Sequence, residues 1–537
     1  MARTAFAILI ALAAPALADE TSTGDKLRIL YSSRFNFTDD GLPLITVEIM
    51  GGQKEIHLSA PGGLVVRPDG AGGSATTLDG ASAWTVRATD TAPAEIKEWS
   101  VVESLGPDDQ TGVAQAIDRW KQRGFDPRTF EVGTLFGTGG ETIDTREILI
   151  GVDAKAAVTA KRYGITARVH RELVKRPAGT VVAVSGGANV SNPSVLWFEP
   201  AKAGETITVE NVPVGTGGSQ LTTTTETRKY WGRVYVTLDQ DGSLVAVNAV
   251  SEDKLLAGLV PAEMMPSAPD AALEAQAIAA RTELLAKLGK RDPTDPFLLC
   301  SSQQCQVYAG AGHEDKRSTK AVAATRGVVL LRDGGGLADA RYSASCGGHG
   351  EDNEAIWGGD PDPSLRGRPD STDGEGISRV TDDNIDTFLS ADPGESWCGR
   401  AKGAKGRFRW TERIETAQMD KLISAEFPKL GHVRGLEALA RGRSGRVQKL
   451  EIRGDKDAVV VEGDLHIRRL LGGLKSTLFA ITTEGGDKPT AFVFRGAGFG
   501  HGVGMCQVGA IGMAEAGKSR DQILGHYYPG THVHRLY

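Results

Sequence analysis

An α+β architecture, β-rich and divided into several domains, is what three observations in this sequence predict. The 537 residues exceed one ordinary domain and suit two to four. Sixty-eight glycines against 15 phenylalanines over the whole chain point to many turns and short strands, and the first half shows short alternating runs. Near residues 113–120, 154–163 and 273–288 the rhythm becomes helical, with apolar spacings of three and four. At 40% hydrophobic and 24% charged residues the composition is globular and supplies a sizeable core. A net charge of −7 argues against nucleic acid as the main partner, because phosphate binding calls for a basic surface.

Taken in order, residues 1–18 read as a secretory leader: Arg3, an apolar run from Ala5 to Ala14, and Ala16-Leu17-Ala18 as a small-residue cleavage site. That run is too short for a bilayer, and no other stretch reaches about 18 apolar residues, so no transmembrane segment is expected. The expected location is exported, in the periplasm or extracellular at the cell wall. Residues 19–95 form a β region, in which Ile45-Thr46-Val47-Glu48-Ile49 alternates and Leu64-Val65-Val66 follows a Pro-Gly-Gly turn. Residues 96–176 change rhythm. A strand at 99–102, a helix carrying Val113, Ile117 and Trp120, strands at 129–135 and 146–152, a helix over 154–163 and a strand near 166–170 give the order β-α-β-β-α-β. This order predicts an inserted ferredoxin-like unit. Residues 177–227 return to β. Beyond them, Asp241-Gly242 between two alternating runs signals a hairpin. From 228 to 537 the chain reads as one core.

Residues 261–288 organise that core. Leu273, Ala277, Ala280, Leu284 and Leu288 mark one face of a helix whose alanines keep it slim. Ser267 and Asp270 are the expected N-cap pair, with Pro269 in the first turn. Glu263 precedes the helix, on a loop beside Met264, Met265 and Pro266. A carboxyl among apolar neighbours tends towards a raised pKa, which suits a general acid, although a solvated loop glutamate fits the same spacing.

Further on, residues 491–494 read as a strand, 496–504 as a glycine loop and 507–516 as a helix. No Gly-x-Gly-x-x-Gly register fits and no Lys-Ser/Thr follows, which argues against a nucleotide cradle. Alternate glycines instead let the backbone approach a ligand or a neighbouring element. His501 suits either substrate contact and proton transfer or the anchoring of this loop to the core. Tyr527 and Tyr528 beside Pro529-Gly530 suit either a sugar groove or closure of the core. Of the five cysteines, Cys300 and Cys305 fit a disulfide in an exported protein. They equally fit half of a zinc site, for which His313 and Cys346 are possible further ligands that no spacing selects.

Glu263-Met264 followed by Ala-Gln-Ala-Ile-Ala-Ala-Arg-Thr at 275–282 resembles a signature of the SpoIID/LytB family, the stage II sporulation protein D and amidase-enhancer group. A second stretch, Gly-Phe-Gly-His-Gly-Val-Gly-Met-Cys-Gln-Val-Gly-Ala at 498–510 with His-Tyr-Tyr-Pro-Gly-Thr at 526–531, resembles the same family. Ser345-Cys346-Gly347-Gly348-His349 with Trp357, and Arg443-Ser444-Gly445-Arg446-Val447, are also similar to it. One departure is Met265, which intervenes where the family shows Met-Pro. The resemblance implies a SpoIID-type catalytic core over 228–537. It implies an exported lytic transglycosylase that cuts peptidoglycan glycan strands at the MurNAc–GlcNAc bond and leaves a 1,6-anhydro end. Glu263 would be the single catalytic acid, with no cofactor required for catalysis. Gln276, Arg281, Ser345, His501, Gly502, Gln507, Tyr527 and Tyr528 are implied on the substrate side, and a structural zinc at Cys300 and Cys305. The alternative is a non-catalytic peptidoglycan-binding protein that enhances a cell-wall amidase. Residues 96–176 resemble, by element order, the sporulation-related repeat (SPOR), which implies binding to glycan strands lacking stem peptides.

Overall fold

The computed structural model describes residues 30–31, 36–38, 40–68, 76–77, 83–138, 141–165, 168–214, 224–290, 293–300, 308–486 and 488–537. The leader read at 1–18 and Cys305 lie outside these residues. Two antiparallel sheets carry the first half. One has seven strands, in the order Asn36–Phe37, Pro43–Gln53, Leu244–Ser251, Arg233–Leu238, Val195–Pro200, Leu64–Arg67 and Thr76–Thr77. The other has six: Ala188–Pro193, Ala178–Ser185, Trp84–Ala92, Glu55–Ser59, Ile207–Val214 and Thr224–Tyr230. Ile45, Leu58, Trp84, Val181, Phe198 and Val236 belong to one core shared by both sheets. The predicted hairpin is present, with Leu238 opposite Leu244 and Gly242 at φ 85°, where a residue without Cβ turns freely. It also corrects the domain boundary expected at 228. Strands Arg233–Leu238 and Leu244–Ser251 lie inside the seven-stranded sheet, because their apolar residues on both faces need neighbours on both sides.

Between Glu95 and Lys175 the predicted element order is seen: Glu95–Leu105, helix Gln110–Gln122, Arg128–Val132, Glu147–Val152, helix Ala156–Tyr163, Arg168–Lys175. An extra hairpin, Leu135–Thr138 with Glu141–Asp144, interrupts it. The four long strands form one antiparallel sheet in the order fourth, first, third, second. Trp120 from the first helix packs beneath it with Ile150 and Val152.

The second half is more helical. Helices Glu252–Glu263, Asp270–Lys287, Lys316–Ala324, Gln507–Glu515 and Arg520–Tyr527 pack around a second core that includes Leu256, Leu273, Ala277, Ile511 and Ile523. Two local expectations are corrected here. Glu263 ends a helix rather than standing on a loop, since Pro261 is accommodated within the last turn. The helix from Asp270 has no side-chain cap, because Pro269, which has no polar side chain, takes the cap position, and the Asp270 carboxylate pairs with Arg317 at 2.7 Å. That helix is also buried nearly all round rather than along one stripe, which its run of alanines permits. Its Arg281 lies fully buried against Glu252 at 2.5 Å and donates to the carbonyls of Thr325 and Val328. Tyr537 Oη donates to the same Glu252 at 2.9 Å.

Residues 344–504 depart from and return to this helical layer through one short parallel pair, Tyr342–Ser343 with Met505–Cys506. In between, two three-stranded antiparallel sheets enclose a third core around Trp410, Ile452, Phe479 and Phe494.

Because the Glu252–Arg281 pair has no exposure on either side chain, removing one partner leaves a buried charge unmatched. Glu252→Ala is expected to lower unfolding free energy by about 3–5 kcal/mol, read from the urea midpoint. A loss below about 1 kcal/mol would show that the pair carries little of the fold.

Candidate functional site

Glu263 is half-buried at the C-terminal end of its helix, held there by the buried Met264 that follows. Tyr342 lies close enough for the Glu263 charge to act on it. Burial first, and this carboxylate second, push the Tyr342 hydroxyl well above its ordinary pKa, so it stays a donor. Gln276, fully buried on the neighbouring helix, approaches that hydroxyl without meeting hydrogen-bond geometry. Its Oε1 accepts from Gln507 Nε2 at 3.2 Å, which fixes the amide so that Nε2 is the free end. Among the described residues, Gln276 Nε2 and Tyr342 Oη are thus two neighbouring buried polar groups with no partner in full hydrogen-bond geometry, and both belong to the Glu263 corner of the helical layer. Most buried polar groups are paired, so two such donors near one carboxyl make this corner the candidate site. Tyr342 was not legible in the sequence, where an isolated tyrosine carries no signature.

The other predicted residues divide. Arg281 is enclosed by Glu252 and backbone carbonyls, so it braces two helices and cannot reach substrate. Ser345 is fully buried, its hydroxyl accepting from the Gly347 N–H. Tyr527 and Tyr528 close the core: one donates to Asp370 Oδ1 at 2.8 Å, the other to the Arg341 carbonyl at 2.8 Å. Cys300 is disulfide-bonded, a state in which its sulfur is no thiolate for zinc, and His313 Nδ1 turns to the Ala309 carbonyl.

The glycine loop reads as its alternation predicts. Gly498, Gly500, Gly502 and Gly504 all have φ between 69° and 97°. A Cβ at Gly502 would overlap the Arg446 guanidinium, which is buried beneath the loop. Gly502 N–H donates to Ser343 Oγ at 3.2 Å, which ties the loop to the Tyr342 strand. His501 Nδ1 accepts from the Val503 N–H at 3.0 Å. Burial first, and then Arg341 and Arg446, push the imidazole down to about 3, so it is neutral and carries its proton on Nε2. Its ring meets Trp357 edge-on at 4.9 Å, and Arg341 lies 4.9 Å over the same indole. Trp357 keeps 47% exposure, the kind of flat apolar face a sugar ring can cover.

Two outcomes follow from the loop. Gly502→Ala forces a side chain into the left-handed region and onto Arg446, and is expected to cost at least about 2 kcal/mol. Gly334→Ala, where nothing lies within 4 Å, should change thermal stability little; equal losses would make the loop an ordinary linker. The His501 pKa lies below its unfolded value, so the folded state binds fewer protons. This contribution to stability is complete above about pH 6.5 and is lost as pH falls towards 3. The difference in melting temperature between wild type and His501→Gln should therefore narrow on acidification, and a gap independent of pH would contradict it.

Residues 240–331 match the family model described as stage II sporulation protein, and residues 351–504 match a domain of unknown function. Neither match falls on 96–176, so the SPOR resemblance gains no support there. The chain is 29% identical over 297 residues to the amidase enhancer of Bacillus subtilis (strain 168), which covers 51% of this chain and 40% of that protein. It is 26% identical over 302 residues to stage II sporulation protein D of Bacillus amyloliquefaciens, covering 54% of this chain and 75% of that protein. An uncharacterized protein of Brachyspira hyodysenteriae is 25% identical over 308 residues, 57% of this chain and 72% of its own length. The match thus spans less than half of the amidase enhancer. The first signature holds Glu263 and Gln276 inside the family match, and the second brings Gln507 back against Gln276. On these grounds the second half of the chain is similar to the SpoIID/LytB family, with the stage II sporulation protein match confined to residues 240–331.

Proposed function

We propose that this protein is exported and acts on peptidoglycan as a lytic transglycosylase, with Glu263 as its acid and base. The observation that carries the reading is the half-buried Glu263 carboxyl beside the orphan donors Tyr342 Oη and Gln276 Nε2. In this mechanism Glu263 donates its proton to the glycosidic oxygen between MurNAc and GlcNAc as the C1–O bond breaks. The resulting carboxylate takes the proton of the muramyl C6 hydroxyl while that oxygen closes onto C1, leaving a 1,6-anhydro end. No water is consumed, so one carboxyl serves both steps. Tyr342 and Gln276 supply donors to sugar oxygens. His501 Nε2–H and the Trp357 face offer further polar and flat contacts along the strand. Among the described residues no helix is long and apolar enough to cross a membrane.

The name of the amidase enhancer favours a second reading, a non-catalytic peptidoglycan-binding protein that stimulates a cell-wall amidase. Glu263→Gln separates the two, since it keeps shape and hydrogen bonding while abolishing proton transfer. Release of anhydro-muramyl fragments from sacculi, intact or stripped of stem peptides, should fall at least ~10²-fold, with binding to sacculi retained. Unchanged release would remove Glu263 as the catalyst. No anhydro product from wild type, together with amidase stimulation that survives the substitution, would establish the enhancer instead.

A further inference from the structure

Apart from the Glu263 corner, three thiols and a carboxylate converge inside the helical layer. The ligand atoms of Cys346, Asp370, Cys398 and Cys506 all lie within 4.8 Å of one another, and all four residues are buried. They come from four separate segments: the Ser345–His349 loop, the loop at Pro369, the short helix Trp397–Arg400, and the residue before helix Gln507–Glu515. We propose that these four side chains bind a zinc ion, at a site distinct from Cys300 and Cys305.

Geometry favours a metal over a disulfide or plain packing. Cys346 Sγ and Cys398 Sγ are 3.6 Å apart. A disulfide needs about 2.05 Å, whereas two thiolates each 2.3 Å from one tetrahedral zinc stand about 3.8 Å apart. A cluster of cysteines packed only as small hydrophobes would have no reason to enclose a carboxylate. Asp370, 2% exposed, nevertheless faces the sulfurs. Its orientation is fixed from outside: Tyr527 Oη donates to Oδ1 at 2.8 Å, His526 Nε2 lies 3.3 Å from Oδ1, and the Cys398 N–H donates to Oδ2 at 3.0 Å. Cys506 Sγ is oriented likewise, accepting from the N–H groups of Cys346 at 3.1 Å and Gly509 at 3.2 Å. Outer hydrogen bonds of this kind orient metal ligands and tune their basicity. The excess negative charge of three thiolates and one carboxylate is partly offset by Arg409, whose half-buried guanidinium donates to the Gly347 carbonyl at 2.8 Å.

The surrounding backbone is shaped for the cluster. A Cβ at Gly509 would overlap Tyr527 Oη and come within 3.2 Å of Cys506 Sγ, and one at Gly512 would overlap the Trp397 carbonyl. The two glycines let helix Gln507–Glu515 lie directly against the cysteine-bearing segments. Three sulfur ligands and one oxygen in a tetrahedron suit zinc, and the absence of a spare position makes the site structural. It would clamp the departing and returning ends of the 344–504 region to the helix layer.

The test uses the full chain, purified without a metal-affinity step or added metal. Elemental analysis should give one zinc per chain. X-ray absorption at the zinc edge should give three sulfurs near 2.3 Å and one oxygen near 2.0 Å. Cys398→Ser should lower the zinc content at least tenfold, whereas the Cys300→Ser/Cys305→Ser protein should keep it. Should Cys398→Ser fail to fold, the wild-type absorption shell decides alone. Zinc well below one per chain, a shell of two sulfurs and two nitrogens, or a Cys346–Cys398 disulfide in the purified protein would each overturn the assignment.

Discussion

The Arg446 guanidinium is the constraint on which the rest of the site depends. It is wholly buried, and among the described residues no carboxylate forms an ion pair with it. Its charge is instead relayed: Nη1 donates to Ser444 Oγ at 2.8 Å, and Ser444 Oγ donates to Glu351 at 2.6 Å. Further donation to the carbonyls of Cys346 and His349 occupies both terminal nitrogens, while Nε has no partner among the described residues. One side chain thereby joins the 442–446 turn, the Ser345–His349 loop and the glycine loop above it. The loop can lie so close only because Gly498 and Gly502 have no side chains to meet the guanidinium. His501, between those contacts and Trp357, takes its orientation from the same arrangement.

The Glu263 corner illustrates the opposite strategy, in which satisfaction is withheld. Leaving a buried donor unpaired costs roughly 1–3 kcal/mol, and Tyr342 Oη and Gln276 Nε2 both remain unpaired. That cost is carried by a neighbourhood with stability to spare. Fully enclosed alanines, the Glu252–Arg281 pair and the core-closing Tyr528 hold the two donors in place.

Much of this was legible in the sequence, for identifiable reasons. Alternation located the strands, Asp241-Gly242 the hairpin, and alternate glycines the left-handed loop, because each depends on local backbone preference. Two family signatures located Glu263, Gln276 and Gln507. Roles that depend on distant partners were not legible. Arg281 belongs to the same signature as Gln276, yet faces Glu252; Tyr527 looks like a sugar platform, yet its hydroxyl serves Asp370. The helix that ends at Glu263 was missed because Pro261 reads as a breaker when its tertiary support is invisible. Cys346, Cys398 and Cys506 are too far apart in sequence for any spacing rule to group them.

The pairing of Tyr342–Ser343 with Met505–Cys506 is parallel, and parallel neighbours cannot be joined by a tight turn. Some crossover is therefore obligatory at this point, and the whole 344–504 region is the form it takes. Its two ends are held about 4.8 Å apart, one strand spacing, whatever the connection contains. Closure entropy rises only about 0.6 kcal/mol for each doubling of a flexible connection. This makes the strand pair a socket whose length constraint is a minimum rather than a maximum, so insertions in the connection are tolerated wherever they spare Leu365, Trp397, Cys398 and Phe408, which it packs into the core of the helical layer.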